Sequence, residues 1–194
     1  MRRRSSEKSW PEDPLPLCAS PSAPLILTLR LDERCSTFFE AERRRYFPPE
    51  RNFIPAHVTL FHHLPGERQA EIEADLRTAA RGQSPFPVQV SGLRFLGKGV
   101  AYRLEAPAFT DLRERLSRVW AAHLTPQDRQ KIAPHVTIRN KVEPATAKKL
   151  FERLSASFRP FTAQAEGLLL WGYRGGPWSP RGRFPFEGSA GGVK

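Results

Sequence analysis

The sequence predicts an α+β fold built from two related β-α-β lobes, and the main reason is an internal repeat. Residues 54–60 match residues 132–138, and residues 85–97 align without gaps with residues 160–172. The two pairs of segments are 78 and 75 residues apart, so one modest insertion accounts for the difference. Duplicated lobes usually pack about a pseudo-twofold axis. We therefore expect equivalent residues of the two copies to face each other across the seam between the lobes.

Strand and helix patterns alternate along the chain. The first lobe opens with a strand in which every second residue is a leucine, namely Leu25, Leu27, Leu29 and Leu31. A helix is predicted around residues 38–47, and amphipathic spacing predicts further helices at residues 72–80 and 112–120. Thr110 and Asp111 are candidate caps of the last of these helices.

The segments that end the two lobes are predicted to be bulged strands. Each alternating pattern changes phase at a glycine, which is Gly92 in the first copy and Gly167 in the second. A β-bulge produces such a change of phase. Another helix, which leads into the second of these strands, is expected to begin near Pro144, because proline suits the first helical turn.

The chain is predicted to hold one functional unit with loose ends. At 194 residues it is long enough for one compact domain, or for two small lobes that share a core. Residues 1–24 carry five prolines and few large apolar side chains, so we expect a disordered tail there. The two-lobed domain is expected to span residues 25–187, and residues 188–194 are expected to form a flexible C-terminus.

The composition indicates which kinds of partner and which cellular compartment to expect. The formal net charge of +11 favours anionic partners such as nucleic acid. No apolar run reaches the roughly 18 to 20 residues that span a bilayer, and the basic start lacks the apolar segment of a secretion signal. Cys18 and Cys35 form neither a disulfide framework nor a zinc pattern. We therefore expect a monomer in the cytoplasm, with no membrane partner.

A repeated His-x-Thr motif carries the chemistry. Both copies lie in short apolar runs introduced by proline, which is typical of strands. Alternation places His57 and Thr59 on one face of the first strand, and His135 and Thr137 on one face of the second. Two such strands at a common cleft would surround a phosphate-sized pocket with two imidazoles and two hydroxyls. A lone His-x-Thr is more often structural, but two copies at matching positions favour function.

These four side chains suffice to cleave a phosphodiester. One imidazole takes a proton from the attacking water or hydroxyl while the other gives a proton to the leaving oxygen, and histidine suits both tasks near neutral pH. The threonines would hold the non-bridging oxygens. No metal is needed to generate the nucleophile, so we expect no metal site and no cofactor. The pattern leaves open which histidine is the base.

Basic residues near the motifs have structural alternatives. Arg139 shares the face of His135 and is a candidate substrate-binding residue, whereas Lys141, farther out, is assigned to the surface. His62 and His63 are interpreted as a solvated strand end, because no Cys, Asp or spaced third His completes a metal ligand set.

Three further features are ambiguous in sequence. The basic run at residues 43–45 is interpreted as the solvated face of its helix. Phe61 suits either a base-stacking surface or the core. Residues 173–183 interleave aromatic and basic side chains, which suits the rim of a nucleic-acid site or a loop packed against a lobe.

The two motifs resemble those of the 2H phosphoesterase superfamily, known as 2′-5′ RNA ligases and RNA 2′,3′-cyclic phosphodiesterases. Its members carry two copies of His-x-Thr or His-x-Ser, each followed by an apolar residue, and residues 57–60 and 135–138 match fully. The resemblance spans about residues 25–187, and the flanks at residues 60–64 and 171–178 look like a compact bacterial branch. It implies antiparallel sheets that line a central cleft, histidines on facing strands, and hydroxyls that bind phosphate.

The resemblance implies an enzyme that hydrolyses a 2′,3′-cyclic phosphate or a 2′-5′-type phosphodiester in RNA or nucleotides. Two catalytic residues and three substrate-binding residues are expected, which are His57 and His135, and Thr59, Thr137 and Arg139. Ligation uses the same acid-base pair in reverse and stays open. A module that binds RNA without turnover also stays open, although intact His and Thr in both motifs count against it.

Overall fold

Two copies of a β-α-β-α-β unit follow each other along the chain. The computed structural model describes residues 22–189, so residues 1–21 of the predicted tail and residues 190–194 of the predicted C-terminus lie outside the described part. The first unit contains β1 (Leu25–Leu31), α1 (Glu33–Tyr46), β2 (Val58–Leu64), α2 (Gln69–Arg81) and β3 (Phe86–Phe95). The second contains β4 (Val100–Glu105), α3 (Pro107–Val119), β5 (His135–Arg139), α4 (Pro144–Ser157) and β6 (Phe161–Gly172). A further strand, β7 (Ser179–Pro185), follows the second unit.

The strands form one antiparallel sheet. Six of its seven strands follow the order β2-β1-β6-β3-β4-β5, and the seventh, β7, pairs with β6. The third strand of each unit is exchanged, because β3 pairs with β4 of the second unit and β6 pairs with β1 of the first. The predicted α+β class with antiparallel strands is confirmed, and the exchange of strands is an addition to it. Among residues 22–189, no helix combines the length and the apolar character that a membrane crossing needs.

The sheet is symmetric about the pairing of β3 with β6. Val88 lies opposite Ala163 in this pair, and the two residues occupy equivalent positions of the repeat, 75 residues apart. A pseudo-twofold axis therefore passes between them, as predicted. The predicted bulges are also present, because the ladders skip Ser91 in β3 and Glu166 in β6, each directly before the glycine of its repeat.

The pseudo-twofold axis relates the strands that carry the His-x-Thr motifs. β2 and β5 lie at opposite ends of the strand order, yet they contact each other, and α1 packs against β5. The sheet therefore curls until its two outer strands approach each other. The regular twist of β-strands permits such curvature. This curvature brings the two motifs together although four strands separate them in the sheet.

Local signals set the starts of the helices. The carboxylate of Asp32 caps α1 by accepting a hydrogen bond from a backbone N–H three residues later. α3 begins at Pro107, so the predicted caps Thr110 and Asp111 are wrong and lie inside the helix. Proline in the first turn explains this earlier start. The predicted start of α4 at Pro144 is confirmed for the same reason.

The largest buried side chains include aromatic rings from both units. Phe39, Phe61 and Phe109 are each almost completely excluded from solvent. Phe61 packs edge-to-face against Trp120, with 5.2 Å between the ring centroids, so it belongs to the core and not to a base-stacking surface. Burial of such a ring stabilises the fold by roughly 1.5 to 3 kcal/mol.

A buried carboxylate ties the loop before β5 to β2. Asp128 is fully buried, and its oxygens accept hydrogen bonds from the backbone N–H groups of His62 at 2.8 Å and His63 at 2.9 Å. Arg113 donates to the carbonyl oxygens of Leu60 at 3.1 Å and Asp128 at 2.6 Å. Burial acts to raise the pKa of Asp128, but the hydrogen bonds from His62 and His63 outweigh it and lower that pKa. The loop before β5 is therefore fixed to the backbone of β2.

Close approach of the start of β4 to the end of β5 requires a glycine at position 99. A Cβ atom on Gly99 would overlap the carbonyl oxygen of Arg139 and lie 3.0 Å from the Cα atom of Asn140. We expect Gly99→Ala to lower the free energy of unfolding by roughly 1 to 3 kcal/mol, because one backbone segment must shift. Urea denaturation followed by circular dichroism measures this loss. Gly176→Ala is the matched control, since nothing lies within 4 Å of its added Cβ atom, and equal losses would contradict the steric explanation.

Candidate active site

The two motif histidines are held in the same way. The Nδ1 atom of His57 lies 2.7 Å from the carbonyl oxygen of Pro55, and the Nδ1 atom of His135 lies 2.9 Å from the carbonyl oxygen of Ala133. A carbonyl oxygen only accepts, so each Nδ1 carries the proton and donates it. The hydrogen bond from Nδ1 therefore fixes the orientation of each imidazole and leaves its Nε2 atom without a hydrogen-bond partner among the described residues.

Two of the four motif residues line a cleft. The cleft has a volume of about 860 Å³, and His57 of the first motif and Thr137 of the second line it. Thr59 and His135 are partly buried and are not among its lining residues. His135 nevertheless lies close enough to His57 for the two imidazoles to interact electrostatically.

The lining of the cleft is basic and aromatic. Its cationic and titratable side chains are Arg43, Arg51, His57, His62, His63 and Lys141. Its rings belong to Phe47, Phe53, Tyr173 and Trp178. No Asp or Glu of the described part of the chain lines the cleft, so its charge favours an anion. Phe53 is 60% exposed and Tyr173 is 39% exposed, and such rings offer flat surfaces on which a nucleobase can stack.

The environment of His57 keeps its imidazole neutral. Burial lowers the pKa of His57 from an ordinary value of 6.5 to about 4, against the smaller opposing effect of the hydrogen bond to Pro55. Electrostatic interactions with Arg43 and His135 lower this pKa further. The ring of Trp178 packs against the imidazole, with 4.6 Å between the centroids. At neutral pH the Nε2 atom of His57 is therefore a free proton acceptor.

Lys141 lines the cleft, whereas Arg139 does not. The Nε atom of Arg139 is buried and has no hydrogen-bond partner among the described residues. Lys141 is exposed, as predicted, and has a φ of 57°, the one positive φ of a non-glycine residue in the described chain. Arg51 donates a hydrogen bond to the carbonyl oxygen of Lys141 at 3.1 Å. Strained backbone of this kind clusters at functional sites. The assignment of Arg139 to substrate binding stays a prediction, and Lys141 is an additional candidate.

The neighbouring histidines of β2 have an acidic partner that the sequence did not indicate. His62 and His63 are exposed, as predicted, and both line the cleft. The Nδ1 atom of His62 lies 3.3 Å from Oδ1 of Asp128, which is 66 residues away along the chain. Within residues 22–189, no three His, Cys, Asp or Glu side chains cluster as a metal site requires.

The aromatic and basic segment near the C-terminus divides between two surfaces. Tyr173 and Trp178 line the cleft, which agrees with the rim that the sequence suggested. Arg181 and Arg183 line a separate groove beside α2. The aromatic side chains of the segment, together with Gly175 and Gly176, therefore line the candidate site, whereas Arg181 and Arg183 do not.

The low pKa of His57 has a consequence for stability. The unfolded chain binds a proton at this imidazole near pH 6.5, whereas the folded chain binds it only near pH 4. The contribution of neutral His57 is therefore fully present above pH 6.5 and is lost as the pH falls towards 4. We expect the free energy of unfolding to fall more between pH 7 and pH 4.5 in the parent protein than in His57→Gln.

Chemical denaturation at several pH values measures this difference. His123→Gln is the control, because His123 is exposed and does not line the cleft. Parallel curves for the parent and His57→Gln would show that burial does not hold His57 neutral.

The sequence matches one protein family over most of its length. The sequence model described as the 2′-5′ RNA ligase superfamily matches residues 31–177. A search of curated proteins finds no match.

Solved structures share the fold at low sequence identity. TT0787 of Thermus thermophilus is 18% identical with a TM-score of 0.61, and the match covers 85% of this chain and 98% of that chain. E. coli LigT in complex with 3′-AMP is 17% identical with a TM-score of 0.55, covering 86% of this chain and 99% of that chain. LigT complexed with NADP+ is also 17% identical, with the same coverage and a TM-score of 0.52. The family match and the shared fold together show that the chain belongs to the 2′-5′ RNA ligase superfamily of 2H phosphoesterases.

Proposed function

We propose that the chain is a metal-independent phosphoesterase that hydrolyses a 2′,3′-cyclic phosphate, or a 2′-5′-type phosphodiester, in RNA or nucleotides. The observation that carries the proposal is the equivalent placement of His57 and His135. Each histidine donates from Nδ1 to a carbonyl oxygen two residues upstream, which leaves both Nε2 atoms for chemistry. The membership of the family supports the reaction class.

We assign the general base to His57 and the general acid to His135. The pKa of about 4 makes His57 a neutral acceptor at physiological pH. In hydrolysis, His57 takes a proton from water as the water oxygen bonds to phosphorus. The bond from phosphorus to the 3′ oxygen breaks, and protonated His135 gives its proton to that oxygen. The product is a 2′-phosphate with a free 3′ hydroxyl.

The remaining motif residues would stabilise charge on the phosphate. The hydroxyls of Thr59 and Thr137 can donate to the non-bridging oxygens, where negative charge accumulates in the transition state. Lys141, which lines the cleft, and Arg139, as the sequence suggested, would add positive charge.

The charge of the cleft and its exposed rings suit a nucleotide or an RNA end. The basic side chains favour a phosphate, and exposed Phe53 and Tyr173 suit a base beside it. Two of the LigT structures that share the fold were solved with 3′-AMP, a nucleotide, and with NADP+, a dinucleotide. These observations support a nucleotide-containing substrate for this chain.

The proposal is tested by turnover of two substrate sizes. The protein is incubated with EDTA and either 2′,3′-cyclic mononucleotides or RNA that ends in a 2′,3′-cyclic phosphate, and ³¹P NMR identifies the product. We expect a 2′-phosphate at an unchanged rate in the presence of EDTA. Binding without turnover of either substrate would favour an RNA-binding module, and a requirement for an added divalent metal would contradict the two-histidine chemistry.

Substitution of the paired histidines should disable one shared step. His57→Ala and His135→Ala are each expected to lower kcat by about 10² to 10⁴, the range for a positioned acid or base. The double variant should lose little more than either single variant, because removal of one member already disables the pair. Steady-state kinetics on a cyclic mononucleotide measures these losses. His123→Ala is the matched control, and near-parental turnover by a folded His57→Ala or His135→Ala would rule out the pair.

The threonines should contribute less than the histidines. Thr59→Ala and Thr137→Ala each remove one candidate donor to the phosphate, and loss of such a donor typically costs roughly 2 to 4 kcal/mol of transition-state stabilisation or less. We expect kcat to fall while the circular dichroism spectrum and melting temperature change little. Full activity in both variants would remove the hydroxyls from the site.

A further inference from the structure

Arg43 is a buried cation whose hydrogen-bond acceptors are all neutral. The run of three arginines in which it stands is expected to face solvent, and Arg44 and Arg45 are indeed exposed. Arg43 is only 3% exposed, on the same face of α1 as Cys35 and Phe39. None of the ion pairs within residues 22–189 includes Arg43. A guanidinium stays protonated in proteins, and burial of an unpaired charge is costly.

The contacts of Arg43 connect the two motif-bearing segments. Its Nε atom donates to the side-chain oxygen of Asn52 at 2.8 Å and to the carbonyl oxygen of Ile54 at 3.2 Å, in the segment before β2. Its Nη1 atom donates to the carbonyl oxygen of Thr137 in β5 at 2.8 Å. Its guanidinium lies 3.9 Å from the ring centroid of Phe47. The charge is therefore held in a fixed position between the two His-x-Thr strands.

One end of the guanidinium has no partner. All the hydrogen-bond acceptors of Arg43 are neutral oxygens. The carboxylate of Glu40, one turn earlier on α1, acts electrostatically on Arg43 but accepts a hydrogen bond from the backbone N–H of Ala56 at 2.6 Å and forms no ion pair with the guanidinium. The Nη2 atom has no hydrogen-bond acceptor among the described residues. Arg43 lines the same cleft as His57 and Thr137, and its charge reaches His57. An anion in the cleft would accept from the free N–H donors and form the ion pair that Arg43 does not make within the described residues.

We propose that Arg43 binds the substrate phosphate through Nη2, as an interior cation supplied by α1 and not by either motif strand. The identity of the anion as a phosphodiester rests on the proposed function. The binding of phosphate by Arg43 is independent of the proposed function, because it follows from the burial, the hydrogen bonds and the position of Arg43. A merely structural role would instead limit Arg43 to holding Asn52 and Thr137 in place.

Binding of inorganic phosphate separates these roles. Isothermal titration calorimetry is performed on the parent protein, Arg43→Met, Arg43→Lys and Arg44→Met. We expect Arg43→Met to bind phosphate about 10- to 100-fold more weakly, which is the value of one charge-assisted hydrogen bond. Arg43→Lys, which keeps the charge without the planar fork, should recover part of this loss. Arg44→Met is the matched control on the exposed side of α1 and should bind as the parent does.

A measurement on the parent protein covers the case in which Arg43→Met does not fold. In ¹⁵N NMR spectra of the arginine side chains, addition of phosphate should shift the Nη signals of Arg43 and leave those of Arg44 in place. Unchanged Arg43 signals, or parental phosphate affinity in a folded Arg43→Met, would overturn the proposal. Phosphate binding that depends on Arg43 in a protein that turns over no cyclic phosphate would overturn the proposed function and leave this inference standing.

Discussion

The pairing of β3 with β6 is the constraint on which the rest of the molecule depends. Each of these strands ends one repeat unit but completes the half-sheet of the other, so neither unit has its full set of strand partners alone. The pairing sets Val88 against its equivalent Ala163 and thereby defines the pseudo-twofold axis. The outer strands β2 and β5 are then equivalent by symmetry, and curvature of the sheet brings them into contact. The site is a product of this symmetry.

The symmetry of the backbone is combined with asymmetry in the surroundings of the two histidines. Both imidazoles are fixed by a carbonyl oxygen two residues upstream. Of the two, His57 packs against the indole ring of Trp178. Burial lowers the pKa of His57 to about 4. The acid-base role proposed for the two histidines needs unlike members, since one must begin neutral and the other protonated. Duplication supplies two similar groups, and the loop between β6 and β7 makes their environments different.

Much of the fold could be predicted because the relevant signals are local or repeated. The alignment of residues 85–97 with residues 160–172 indicated two equivalent strands, and the phase change at a glycine indicated their bulges. The exchange of these strands between units could not be predicted, because the repeat specifies equivalence and not partners. The predicted caps of α3 failed because Pro107, already in the preceding turn, starts the helix.

Residues of the site that the sequence missed act through contacts between distant segments. Asp128 reaches the backbone of β2 from the loop before β5, and no spacing rule connects those segments. Arg43 did leave a signal, since it follows Cys35 and Phe39 at intervals of four and so shares their buried helix face. Because Arg44 and Arg45 follow it directly, the whole run was interpreted as a solvated helix face, which is wrong for Arg43. Strand alternation holds along β5 as far as Arg139, whereas Lys141 lies beyond the strand with a left-handed backbone, so alternation could not show that it lines the cleft.

Direct contact of both imidazoles with one ligand is the most direct test of a shared site. Long-range ¹H–¹⁵N NMR spectra of the histidine side chains can be recorded during titration with a nucleoside 2′-phosphate, the proposed product. A shared site predicts that the Nε2 signals of His57 and His135 shift along one saturation curve at a stoichiometry of one ligand. A shift of His57 with no change at His135 would contradict the pairing of the two motifs.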